Sequence, residues 1–328
     1  MAQKLLDVRN LSVQYMMEEG NVKAVNNLSF DLEPGESIGI VGETGAGKTT
    51  TALSILKLLQ SPPGLITEGS ITFLGKNLLR TSEVEMRKIR GSKISMIFQD
   101  PMTSLNPVIP VGEQIAEVIL LHDNCTATEA KARAEIMLDK VGIQASRHKE
   151  YPHQFSGGMR QRIVIAIALA CNPTLLISDE PTTALDVTIQ AQVLELMKHL
   201  KKEFNTSMIM ITHDLGIVAD FCDKVAIMYA GSVVELADKQ SLFTSPKHPY
   251  TVGLFGSIPD IEKDEDMLKP IHGLMPDPMN LPTGCAFHPR CEKARPECSE
   301  AVPGRVKISG SHYVHCNLYN KPAEEVDL

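Results

Sequence analysis

Leu6, Val8, Leu11 and Val13 alternate with polar neighbours through residues 5–15, the two-residue period of a strand with one buried face. Residues 22–32 predict a second strand, and Pro34-Gly35 marks a turn after it. A short, mostly apolar run at 37–41 feeds a glycine-rich loop. Leu53, Leu56 and Leu59 then recur at helical spacing, so 49–59 reads as a helix stopped by Ser61-Pro62-Pro63-Gly64. Residues 70–73 and 94–98 predict further short strands.

After Pro101 the period changes. Apolar residues recur at helical spacing through 111–121 and again through 127–141, which predicts a helical insert lasting to about Pro152. Strand and helix then alternate: helix 161–170, strand 174–178, helix 189–204, strand 207–212. Apolar runs with so little polar alternation suit a parallel sheet covered on both faces. Eleven of the 20 prolines lie between Pro246 and Pro322, so regular structure is expected to be sparse there.

Composition narrows the class. The 328 residues allow about two domains, and 43% hydrophobic with 22% charged residues excludes a disordered or fibrous chain. The longest apolar run, Ile163 to Cys171, is nine residues, against the ~20 that a spanning helix needs. The opening stretch MAQKLLDVRN has no apolar segment before its first charges, an expectation of no signal peptide, a cytosolic location and reduced thiols. A net charge of −8 and the absence of Trp argue against nucleic acid as a partner.

Gly42-Glu43-Thr44-Gly45-Ala46-Gly47-Lys48-Thr49 fits the pattern GxxxxGK[ST], between a strand and a helix. Its glycines let backbone N–H groups converge on an anion, and the following helix adds the positive end of its dipole. Lys48 is the candidate for the β- and γ-phosphates, Thr49 for Mg²⁺, and Thr50 continues the binding loop. Leu175-Leu176-Ile177-Ser178-Asp179-Glu180 is an apolar strand ending in two carboxylates, at the edge where open α/β sheets bind ligands. Asp179 suits the Mg²⁺ shell, and Glu180 suits activating a water. A strand running into an acidic helix cap is the plain alternative for this segment alone.

Phe155-Ser156-Gly157-Gly158-Met159-Arg160-Gln161-Arg162 resembles the signature motif of ABC-transporter ATPases, usually written LSGGQ, with Phe155 for Leu and Met159 for Gln. The resemblance extends from about residue 5 to 242. It implies that Ser156, Gly157 and Gly158 meet a γ-phosphate and that Gln99, as the Q-loop glutamine, contacts Mg²⁺ or the lytic water. It further implies that Ala184-Leu185-Asp186 is the D-loop, that His213 is the switch histidine, and that Tyr15 stacks on adenine. The implied fold is α/β: a RecA-like core over 1–100 and 160–245 with an N-terminal antiparallel β subdomain, a helical subdomain over 101–159, and an irregular Cys-rich extension over 246–328.

Gln99-Asp100-Pro101-Met102-Thr103-Ser104-Leu105-Asn106-Pro107 and His248-Pro249-Tyr250-Thr251 resemble the dipeptide/oligopeptide/nickel importer ATPases. That resemblance implies an ATP-hydrolysing subunit on the cytoplasmic face of the membrane. It implies pairing with a second, related ATPase, contact with two permease subunits through the helical subdomain, and indirect service to an extracytoplasmic solute-binding protein. A nickel or other small-solute importer stays open, as does a soluble non-transport ABC ATPase, although no second core or long heptad run is present. Cys285, Cys291, Cys298 and Cys316 follow the spacing C-x5-C-x6-C-x17-C. Four thiolates in a proline-rich segment can hold a metal. Zinc with help from His288, His312 or His315, and free thiols, are both open. The family resemblance implies a [4Fe–4S] cluster.

Overall fold

The computed structural model describes residues 4–182, 185–257 and 271–320. The strands are β1 Leu6–Met17, β2 Gly20–Leu32, β3 Ser37–Val41, β4 Gly64–Phe73, β5 Lys76–Asn77, β6 Ile94–Ile97, β7 Leu175–Asp179, β8 Ser207–Thr212, β9 Lys224–Tyr229, β10 Ser232–Asp238, β11 Val306–Ser309 and β12 His312–Val314. The helices are α1 Lys48–Ile55, α2 Glu83–Ile89, α3 Pro101–Ser104, α4 Val111–His122, α5 Ala127–Lys140, α6 Gly157–Leu169, α7 Val187–Phe204, α8 Leu215–Phe221, α9 Lys239–Thr244, α10 Pro249–Gly256 and α11 Glu297–Glu300.

Two sheets form. The smaller is antiparallel in the order β2-β1-β4-β5. The larger runs β11-β12-β10-β9-β3-β8-β7-β6, and its stretch β9-β3-β8-β7-β6 is parallel. Every residue of β3, β7 and β8 is buried, as expected for parallel strands covered on both faces. Ile38, Ile40, Ile177, Ile209 and Ile211 face the smaller sheet and pack with Phe30, Leu32 and Ile71. Val41, Leu176, Met208 and Met210 share the other core with Ile115 of α4 and Ile163 of α6. The carboxyl ends of the parallel strands are thus held rigidly from two sides.

Several features differ from the sequence expectation, and three have a clear physical reason. Helix α1 ends at Ile55, where Lys57 takes φ +50° and the Leu58 N–H donates to the Leu53 carbonyl. Strand β4 begins at Gly64, because it pairs with β1 along its length, from Tyr15 opposite Gly64 to Leu6 opposite Phe73. The C-terminal extension is not simply irregular: β11 and β12 add to the edge of the main sheet through β10.

One buried group fastens that edge. Glu235 on β10 is fully buried, and its carboxylate accepts from the backbone N–H groups of Lys247 (2.7 Å) and His248 (2.8 Å). It also lies 2.7 Å from His312 Nε2 on β12. Removing the carboxylate strands several buried polar groups at once. Glu235→Ala is expected to lower unfolding free energy by about 3 kcal/mol, read by chemical denaturation; a loss under about 1 kcal/mol would mean this carboxylate does not hold the edge.

Candidate functional site

The loop after β3 is forced into a tight cradle. Gly47 takes φ +93°, and a Cβ there would stand 2.2 Å from the Ala24 carbonyl. A Cβ at Gly42 would stand 2.2 Å from the Met228 carbonyl. Neither position tolerates a side chain, so the loop lies directly against β2 and β9. Lys48 opens α1 and is buried; its Nζ donates to the carbonyls of Gly42 (2.7 Å) and Glu43 (3.1 Å). Burial lowers its pKa, opposed by the charges of Glu180, Asp179 and Glu43. Ala46 is buried, whereas Thr44, Gly45 and Thr49 are exposed. The Tyr15 hydroxyl on β1 lies 3.2 Å from the Thr50 hydroxyl, which brings the aromatic beside the first turn of α1.

Asp179 ends β7 and Glu180 follows it. Asp179 is 2% exposed, its Oδ1 has no hydrogen-bond partner, and burial raises its pKa against a hydrogen bond from Thr49. A buried carboxylate oxygen with no partner, next to a threonine hydroxyl, fits a hard divalent cation that keeps most of its other ligands as phosphate oxygens and water. Glu180 takes φ +47°, a left-handed conformation that costs about 1 kcal/mol or more for a residue with a Cβ. Its N–H donates to the Ile211 carbonyl, which turns the side chain off the sheet. Gln99 Nε2 donates to Glu180 Oε2 at 3.0 Å, and His213 Nδ1 lies 3.3 Å from Oε1. Three residues from the ends of β6, β7 and β8 therefore meet at one carboxylate.

The signature stands apart from this cluster. Ser156 caps α6, its hydroxyl accepting from the Met159 N–H at 3.4 Å, and Ser156 and Gly157 are exposed. A Cβ at Gly158 would stand 2.4 Å from Ile189 Cγ2 on α7, so the glycine lets the two helices approach. Asp186 caps α7 through the Ile189 N–H at 3.0 Å. Ala184 lies outside the described residues. Among the described residues no hydrogen bond joins Ser156 or Asp186 to the phosphate loop. The two substituted signature positions are structural: Phe155 is buried under the Arg147 guanidinium, 4.2 Å from the ring centroid, and Met159 packs at the edge of the core.

Residues 25–183 match the family model described as ABC transporter, and residues 234–298 match that of the oligopeptide/dipeptide transporter C-terminal region. The oligopeptide transport ATP-binding protein AppD of Bacillus subtilis is 51% identical over 323 residues, covering 98% of each chain. The chain belongs to the ABC transporter family. The oligopeptide transport ATP-binding protein OppD of Escherichia coli is 50% identical over 304 residues, covering 92% of this chain and 90% of that one. A solved dimeric ATP-binding cassette bound to ADP and phosphate superposes with TM-score 0.64 at 27% identity, covering 71% of this chain and 98% of that one. This ABC chain is accordingly an ATPase, and its fold is the mixed α/β cassette of those neighbours.

The metal expectation for the tail is corrected. Among the described residues no group of three or more His, Cys, Asp or Glu is arranged to hold a metal ion. Cys285, Cys291, Cys298 and Cys316 line one cavity of about 10 Å³ without forming such a group. Burial pushes the Cys285 thiol up to about 11 and raises those of Cys291 and Cys316. The histidines proposed for zinc are otherwise engaged: His288 Nδ1 with the Cys285 carbonyl at 2.9 Å, His312 with Glu235. Burial lowers the pKa of His315. Packing orders the segment instead. Phe287 is buried against Tyr229 (5.2 Å between centroids) and Tyr250 (5.4 Å).

Sequence reasoning missed Arg290 and Tyr250, which contact Glu43 of the glycine-rich loop, and Tyr229, whose hydroxyl accepts from Arg290. The segment His248-Pro249-Tyr250-Thr251 was the visible signal, but nothing in it names a partner 207 residues away.

Proposed function

We propose that this chain is one of two ATPase subunits that power a binding-protein-dependent importer of di- and oligopeptides from the cytoplasmic face of the membrane. The observation that carries the reading is the Glu180 carboxylate gathering Gln99 and His213 beside Lys48 and Asp179. Relatives named for oligopeptide and dipeptide transport, alike over nearly the whole chain, support the cargo.

Tyr15 packs on the adenine. The loop from Gly42 through Thr50, including Glu43, Thr44, Gly45, Ala46 and Gly47, wraps the phosphates with backbone N–H groups. Lys48 leaves its carbonyl contacts for the β- and γ-phosphates. Thr49, Asp179 and Gln99 would hold Mg²⁺, which supplies charge neutralisation on the phosphates. Glu180 orients and polarises the attacking water, and His213 senses the γ-phosphate from the other side of the carboxylate. Ser156, Gly157, Gly158 and Asp186 face outward to serve the nucleotide held by the partner subunit, consistent with their separation from this chain's own loop. Residues 1–100 and 160–245 act as the ATPase core, 101–159 as the docking unit, and 246–328 as an extension.

The docking unit offers a surface of suitable form. A groove of about 530 Å³ on α4 and α5 is lined by Gly112, Ala116, Leu120, Leu121, Ala127 and Lys131. Leu120 and Leu121 are 44% and 71% exposed on it, which suits an amphipathic helix of a permease. Among the described residues no helix is long and apolar enough to cross a membrane. Leu121→Glu is expected to abolish co-purification with the permeases while nucleotide titration of the chain stays at the parent value. Full co-purification would remove the groove from the interface and with it the docking role of 101–159.

A further inference from the structure

We propose that Arg290 of the C-terminal extension positions the phosphate loop by neutralising Glu43, so that the extension sets the affinity of the site for ATP. The proposal rests on the reading of that loop as the phosphate site. Glu43 is an acidic residue inside a loop meant for an anion, and its charge has to be answered locally. Arg290 answers it: Nη1 lies 3.1 Å from Glu43 Oε1 and 3.2 Å from Oε2, in a pair whose arginine side chain is 7% exposed. The rest of the guanidinium is engaged as well. Nη1 also donates to the Tyr229 hydroxyl (3.3 Å), Nε to the His272 carbonyl (3.1 Å) and Nη2 to the Ile271 carbonyl (3.4 Å). A planar fork with this many bonds fixes direction as well as charge.

Glu43 passes that constraint into the loop. Its N–H donates to the Tyr250 hydroxyl at 3.2 Å, and its carbonyl accepts from the Ala46 N–H and from Lys48 Nζ, both at 3.1 Å. One residue therefore links the extension to the lysine that reaches for phosphate. The extension also touches the far side of the cradle: the Lys23 N–H of β2 donates to the Pro278 carbonyl at 2.9 Å, and Met279 Cε packs at Gly20. Without Arg290, the half-buried Glu43 carboxylate would add an unanswered negative charge to the loop that receives the phosphates, and like charges repel.

Arg290→Met is expected to raise the Kd for Mg²⁺-ATP, and the KM for hydrolysis by the assembled complex, about tenfold with kcat within about twofold. Adding Glu43→Gln to Arg290→Met should recover at least about threefold in Kd, because the unanswered charge is gone. Arg290→Lys keeps the charge and should stay within about threefold of the parent. Equal losses in the Lys and Met variants, or a double variant no tighter than Arg290→Met, would overturn the neutralising role. Lys48→Ala measured alongside separates the two readings: weakened binding there with parental affinity in Arg290→Met sinks this inference alone, and parental affinity in Lys48→Ala sinks the phosphate-loop reading itself.

Discussion

Glu180→Gln is expected to lower steady-state phosphate release from the assembled transporter by about 10²- to 10⁴-fold while ATP still binds. The amide keeps the shape of the carboxylate, so the hydrogen bond from Gln99 and the contact with His213 can persist in altered polarity. What disappears is the negative charge that, in the proposed mechanism, polarises the attacking water. The left-handed backbone at Glu180 supports this assignment, since strain at a non-glycine residue is retained where a side chain must be aimed. Asp179 and Thr49 are untouched, so the cation and the phosphates are still held. Turnover near the parent rate would remove Glu180 from the chemistry.

The second large effect concerns binding. Lys48→Ala is expected to weaken ATP by about 2–3 kcal/mol, roughly 30- to 150-fold in Kd. The ammonium is buried and currently bonded to the carbonyls of Gly42 and Glu43. Alanine leaves those carbonyls pointing into the cradle and the β- and γ-phosphate charge uncompensated. Titration with a fluorescent ATP analogue reads the change directly, and an unchanged Kd would mean that the loop does not hold the phosphates.

The segments that converge in the candidate site were legible in the sequence because each is contiguous. A glycine loop must sit between a strand and a helix, and adjacent carboxylates must end a buried strand. Both constraints act over about ten residues, and β3, α1 and β7 stand where they require. The start of α6 was not legible from periodicity. Gly157 and Gly158 are poor helix formers, so the expected helix began at Gln161, whereas the Ser156 cap starts it four residues earlier. The tail misled for a different reason. Four cysteines in a proline-rich stretch carry a metal-like spacing, but the segment is ordered by Phe287, by Glu235 with His312, and by strand pairing at 306–314. The alternation of Val306 and Ile308, with a glycine turn before His312, is the local signal for these strands, and an expectation drawn from proline content alone does not use it. The contact of Arg290 with Glu43 spans 247 residues, and no local pattern encodes a pair that distant.

Uptake of a labelled peptide into vesicles tests the central claim most directly. The vesicles would contain this chain with its partner ATPase and permeases, with Mg²⁺-ATP enclosed on the side of the ATPases and the solute-binding protein on the other. The account predicts accumulation of di- and oligopeptide that requires ATP and falls to the nucleotide-free background when this chain carries Glu180→Gln. Accumulation at the parental rate with Glu180→Gln, or ATP-driven uptake of a metal ion with none of peptide, would contradict it.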